Sequence, residues 1–330
     1  MNTPTLLRMT APLRDDFDIP YHDVGPVERT PRLALVAGLH GNELNGVFVL
    51  ARLAAFLRDV EQGKRPDLRL RERVLLVPAV NVLGVNLLSR VWPFDKIDLN
   101  RVFPGLEGGE TTQRIAAALL RLTRGAYYRI DIHSSNLDIE ELPQVRLYAP
   151  NDDERATACL FGLPAVIERP LNKMFMATLV HAWRAHGGEN FVLQAGRAGD
   201  LQSRHCETLF RSLVAFLDRT GIVEGLTLAD DEEDLHYFGL RQSYAVLSEQ
   251  AGFFVGRIDP GRWVQAGELL GHLYDGFTGD LLKDVHTPVA GLVCSVRRQP
   301  LLFEGDLLCR IQTLDDSGND VEVMLHGQGQ

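Results

Sequence analysis

The sequence predicts an α/β fold, a mixed sheet flanked by helices, followed by a small all-β domain. Two observations carry this. From Arg32 to about Leu217, short apolar runs alternate with longer amphipathic stretches, as when strands of one sheet are interleaved with the helices that cover it. Beyond about residue 240 the apolar runs shorten, repeat every ten or so residues and are broken by glycines, which marks an all-β unit.

Each element follows from its run. LALVAGLH (33–40), RVLLVPAVN (73–81), YYRIDIH (127–133) and NFVLQAG (190–196) read as buried strands ending in polar residues. Between them GVFVLARLAAFLRDV (46–60), QRIAAALLRLT (113–123) and CETLFRSLVAFLDRT (206–220) carry helical periodicity. TLADDEEDLHYFG (227–239) is acidic and poor in apolar residues, and reads as a linker or solvated edge. The expected division is residues 1–226 as the main domain and 227–330 as linker and β domain, its core about 240–313. The tail from Asp315 is weakly specified.

Bulk properties narrow the function. The 330-residue chain carries a net charge of −10 with no Lys/Arg-rich run, so no electrostatic footprint for nucleic acid or an anionic membrane is present. No apolar stretch reaches the roughly 18 residues of a membrane span. The N-terminus lacks a signal-peptide core, being interrupted by Asp15, Asp16 and Asp18. Four scattered cysteines fit a reducing compartment. Cys294 and Cys309 could face each other across a hairpin, but two buried thiols is the expected arrangement. A cytoplasmic protein is expected, with homo-oligomerisation left open.

Ligands in α/β folds gather at the carboxyl ends of strands, and His40, Asn81 and His133 each close a run. In GLHGNE, His40 and Glu43 follow the first strand directly. Catalytic zinc takes three protein ligands and leaves a fourth position open, and two His with one Glu is such a set. Taken alone, H-x-x-E recurs by chance, as a helix cap and a first-turn acid. His133, in IDIHSS, supplies a third donor at a second strand end, and Asp131, on the same strand face, can support it from behind.

GLHGNELNG, then Asn81 and Asn100-Arg101 separated as N-x(18)-N-R, then IDIHSS, resemble the succinylglutamate desuccinylase/aspartoacylase family over about residues 30 to 220. That family is related to the zinc carboxypeptidases. The resemblance implies a carboxypeptidase-like mixed sheet and one Zn2+ held by His40, Glu43 and His133. It also implies that Asn100 and Arg101 grip a substrate carboxylate, a role suited to a planar guanidinium beside an amide. By the same resemblance Arg90 polarises the scissile carbonyl. Asn81 marks the pocket wall, though a structural role is as open as a substrate-binding one.

The pattern breaks at one position. The resemblance puts a general-base Glu where NFVLQAG has Gln194, and an amide has no usable basic pKa. Loss of a general base typically costs about 10²–10⁴ in rate. Another carboxylate (Glu140, Glu141 or Glu168) could be brought in by folding. Glu189 falls on the opposite strand face from Gln194. Alternatively the metal alone suffices, or the site binds without turnover. Gln194 is expected to line the pocket in every case.

Residues 240 to 313 resemble the biotinyl/lipoyl-type barrel-sandwich appended to many members of the family. Lys283, in DLLKDVH, lacks the setting of a carrier lysine, so shielding of the cleft or assembly is the expected role. The expected function is zinc-dependent cleavage of an N-acyl amino acid or similar small carboxylate-bearing amide. A zinc carboxypeptidase acting on short peptides and a catalytically silent binding protein are the alternatives.

Overall fold

The computed structural model describes residues 4–10, 13, 16–173, 175–227 and 235–319. The four buried runs form the centre of one large sheet: Leu33–Ala37, Val74–Val77, Tyr128–Ser135 and Glu189–Arg197. They are mutually parallel, with Val74–Val77 beside Leu33–Ala37, then Tyr128–Ser135, then Glu189–Arg197. Every residue of these strands but the last of Tyr128–Ser135 and of Glu189–Arg197 is buried, which reflects cover on both faces. On one face the helices Leu44–Glu61 and Ser203–Arg219 pack Leu50, Leu53, Leu213 and Phe216 against Leu35, Ile130 and Leu193. On the other, Thr111–Thr123 and Leu179–Arg184 pack Ile115, Leu119 and Trp183 against Val36, Val77 and Val192. The three long helices match the expected ones to within about a turn at each end.

Register fixes which side chains share a face. Val36, Asp131 and Val192 lie level across three strands, and one step of the pleat beyond, His133 and Gln194 lie level. Asp131, His133 and Gln194 therefore stand on the Val36 face, at the carboxyl end of the sheet.

The strand Ile139–Tyr148 runs antiparallel to Glu189–Arg197 and its free edge is shared. Gln144 to Tyr148 pair in parallel with Ala165–Arg169, while Ile139 to Glu141 pair with Gly291–Arg297 of the C-terminal region. The sheet thus forks near Pro143. Pairing with the Gln194 strand is also irregular there, passing from Gln144 to Glu141 as Gln194 passes to Gly196. Proline has no N–H to offer, so it suits the break.

Residues 243–312 enclose a core of their own. Phe254, Leu270, Leu273 and Leu302 from a separate four-stranded sheet meet Val293, Val296, Leu308 and Ile311 from strands continuous with the main sheet. Cys309 belongs to this core and Cys294 to a different cluster with Leu142 and Phe238, and both thiols are free. Lys283 is exposed within the strand Leu281–His286 and pairs with Glu249.

The segment 227–239 departs from a simple linker. Residues 228–234 lie outside the described ones, and His236–Phe238 adds a parallel strand beside Ala165–Arg169, burying Phe238. Three residues next to an acidic run are too few to show a period. The tail from residue 320 also lies outside the described residues. Among the described residues no helix is long and apolar enough to cross a membrane.

Candidate metal centre

The loop after Leu33–Ala37 brings His40 and Glu43 to the carboxyl end of the sheet, beside His133. Glu43 occupies the N-cap of helix Leu44–Glu61, yet its side chain makes no capping bond. Instead Oε1 lies 2.6 Å from His40 Nδ1, and Oε2 lies 3.0 Å from His133 Nδ1 and accepts the Ser134 N–H at 2.9 Å. The donor atoms of His40, Glu43 and His133 all lie within 4.8 Å of one another, and all three residues are buried.

Each imidazole is held from behind by a carboxylate. His133 Nε2 lies 2.8 Å from Asp131 Oδ2, and His40 Nε2 lies 2.9 Å from Asp98 Oδ1. Such partners fix the ring and leave Nδ1 to face the metal position. Two imidazole Nδ1 atoms and one carboxylate, oriented in this way, are a donor set that fits a divalent ion of the zinc type. Burial alone would raise the Glu43 pKa, but the charges and hydrogen bonds of His40 and His133 hold it well below the usual carboxylate range. Burial would lower that of His133, and Asp131 and Glu43 override it to raise it.

Asp98 is the residue that sequence reasoning missed. It caps the single turn Leu99–Arg101, Oδ1 accepting the Asn100 N–H at 2.8 Å, while Oδ2 accepts from Arg90 Nη2 at 3.1 Å. Burial opposes its ionisation, and His40, Arg90 and Arg101 outweigh that and pull its pKa down. The available signal was an acid two residues before Asn100, in a stretch already singled out by the Asn100-Arg101 pair.

The other expected site residues fall as follows. Arg90 reaches Glu43 Oε1 at 3.3 Å, with 41% of its side chain exposed at the edge of the cluster. Asn100 is buried, its Oδ1 accepting the Leu179 N–H at 2.9 Å and its Nδ2 lying 3.4 Å from His133 Nε2. Arg101 donates from Nη1 to the Asn100 carbonyl at 2.8 Å. Asn81 takes the structural role that was left open. It is fully buried and caps the helix Val82–Leu87, its Oδ1 accepting the Gly84 N–H at 2.8 Å. That cap holds the helix turn against the metal loop. A Cβ on Gly41 would lie 2.1 Å from the Gly84 carbonyl carbon, so the glycine after His40 is needed for close backbone approach.

Gln194 stands level with His133 and is 5% exposed, and its side-chain amide has no hydrogen-bond partner among the described residues. Its strand is pinned by Asn45, whose Nδ2 donates to the Ala195 carbonyl at 3.2 Å. The four carboxylates weighed as a replacement base are engaged elsewhere. Glu140 meets His205 and Arg298, Glu141 accepts from Arg146, Glu168 accepts from Arg155 and Tyr237, and Glu189 accepts from Tyr127.

Comparison with known proteins matches this picture. The N-alpha-acetyl-L-2,4-diaminobutyric acid deacetylase of Halomonas elongata is 27% identical over 253 residues, covering 74% of this chain and 71% of the relative. A product-bound ectoine utilization protein from Ruegeria pomeroyi shares the fold at a TM-score of 0.73 and 25% identity, over 93% of each chain. A succinylglutamate desuccinylase from a Silicibacter species superposes at a TM-score of 0.76 and 23% identity, over 94% of each chain. The profile of the succinylglutamate desuccinylase/aspartoacylase catalytic domain matches residues 29–217, the stretch that carries every donor of the cluster, and the chain belongs to that family.

Proposed function

We propose that this chain is a zinc-dependent hydrolase that cleaves the amide bond of an N-acyl amino acid or a similar small carboxylate-bearing amide. The supporting observation is the buried His40–Glu43–His133 donor set with both Nε2 atoms tied to carboxylates. These three residues would hold one Zn2+ per chain. When bound, such an ion acts as a Lewis acid and lowers the pKa of its water to about 7.

The chain's own residues supply the rest. The exposed Arg90 guanidinium, anchored on Glu43 and Asp98, can stabilise charge developing on the carbonyl oxygen. Asn100 and Arg101 offer N–H donors to the amino-acid carboxylate. Gln194 can orient a water by hydrogen bonds but takes no proton from it. The family relationship and the Halomonas relative, by name a deacetylase of an N-acetyl amino acid, support the same substrate class.

A second reading, a binding protein with little or no turnover, is favoured by one observation: Glu140, Glu141, Glu168 and Glu189 are all paired with other side chains. Turnover of a panel of N-acyl amino acids and dipeptides, with and without chelator, decides between them. The expected result is hydrolysis of N-acyl amino acids that chelation abolishes and zinc restores. A zinc-loaded protein inert toward the whole panel would exclude the hydrolase.

A further inference from the structure

The four-stranded sheet of the C-terminal region has a second face, turned away from the core it covers. Its strands run in the order Leu281–His286, Leu269–Tyr274, Gly252–Gly256, Leu301–Leu302. Phe254, Leu273 and Leu302 point into the core, so the alternate residues Phe253, Val255, His272, Tyr274 and Leu301 stand on the outer face. Register sets Leu301, Phe253, Tyr274 and Leu281 level, one row across all four strands. Antiparallel pairing then brings Phe303 and the turn 275–280 to the same end of the sheet, just beyond that row.

This end is apolar and open. Phe277, in the turn, is 98% exposed and Phe303 76%, while Phe253, Val255, Leu281 and Leu301 are each between 40% and 55% exposed. With about 200 Å² for a Phe and somewhat less for Leu or Val, the six leave roughly 700 Å² to water. The largest apolar patch of a typical monomer is about 300–600 Å², and each partner in a stable complex covers about 800 Å². The area is that of an interface.

Phe277 is held ready for contact. Asp275 Oδ1 accepts the N–H groups of Phe277 and Thr278 at 2.8 and 2.7 Å, and the Asp275 N–H and carbonyl close the turn on Asp280 and Gly279. A Cβ on Gly276 would lie 3.3 Å from the Phe253 ring, so the turn rests against the row. An apolar tip ordered in advance loses little entropy on docking.

Shape and charge favour a copy of the same sheet as the occupant. Two sheets of one twist pack face to face without distortion, and a two-fold axis matches one apolar patch with another. The exposed acids Asp280 and Glu304 lie at the apolar end, and the exposed Arg257 continues the alternation past Val255 toward the other. Between them His272 Nδ1 lies 2.7 Å from Asp284 Oδ1, a pair already matched. A copy turned end for end sets the acidic end of one sheet over Arg257 of the other.

We propose that this outer face is the contact between two copies of the chain, which stack their C-terminal sheets in a two-fold dimer. Sedimentation velocity of the full chain, run from about 1 to 100 μM, reads the assembly, and a dimer with a dissociation constant below about 10 μM is expected. Phe277→Asp and Phe303→Asp replace side chains that are mostly in water, and circular dichroism checks that both variants stay folded. Each is expected to raise the dissociation constant at least about thirtyfold. Val27→Asp, at an exposed apolar position of the main domain, is the control and leaves the dimer intact. A native chain that stays monomeric throughout overturns the proposal. A dimer that survives both Phe substitutions, or one that Val27→Asp weakens equally, overturns it too, since the contact then lies elsewhere.

Discussion

Asp98 Oδ1 lies 2.9 Å from His40 Nε2 while the same carboxylate caps the turn that presents Asn100 and Arg101. One side chain thereby sets the orientation of a metal-position imidazole and of the turn that carries Asn100 and Arg101. Asp98→Asn keeps the shape and removes the charge, and is expected to weaken zinc binding by about 10–100-fold. Competition with a chromophoric chelator measures it. An unchanged affinity would leave Asp98 as a turn cap only.

The break at position 194 is directly testable. Gln194 is buried and level with His133, so Gln194→Glu places a carboxylate where the family resemblance puts the general base. Turnover of an N-acyl amino acid is expected to rise by about 10² or more. A rate that stays flat would mean that proton transfer does not limit the native chain.

Gly41 is a packing requirement. A Cβ there would meet the Gly84 carbonyl carbon at 2.1 Å and the Val85 nitrogen at 2.4 Å, both backbone atoms. Gly41→Ala is therefore expected to cost about 3 kcal/mol or more and to lower zinc uptake, because the loop carrying His40 and Glu43 must move. Urea unfolding with parallel zinc titration reads both effects. Native-like stability would show that the turn yields easily.

The junction with the C-terminal strands is expected to be acid-sensitive. Glu140 lies 2.7 Å from His205 Nε2 and 2.5 Å from Arg298 Nε. The hydrogen bond from His205 is the largest influence, and with Arg298 it outweighs burial to pull the carboxyl down from 4.5 to about 2. A depressed carboxylate stabilises the fold above its unfolded pKa, and that contribution fades as pH falls from about 4.5 toward about 2. The stability gap between native chain and Glu140→Gln, on the order of 3 kcal/mol at pH 6, should shrink steadily below pH 4.5. Denaturant unfolding across that range checks it, and a constant gap would assign Glu140 a packing role.

The metal trio was legible because its members end apolar runs, and parallel sheets gather such ends. Asp131 was legible for a related reason: a strand's period of two puts it on the face of His133. Asp98 was not, since its partner is 58 positions away and only the turn Leu99–Arg101 brings them together. Asn81 stayed open because an asparagine at a strand end looks the same whether it lines a pocket or caps the next helix. The fork was invisible because a composition change near residue 227 reads as a boundary. Hydrogen bonds between Ile139–Glu141 and Gly291–Arg297 leave no trace in composition.

That fork bears on how freely the two regions could be exchanged. A chain ending at 226 would keep its metal donors but strip partners from the backbone of Ile139, Glu140 and Glu141, exposing apolar Leu142 and a ready edge for another molecule. The C-terminal strands are thus a missing border of the hydrolase sheet more than a detachable cassette. A substitute module would have to bring a strand of matching register before it could bring anything else.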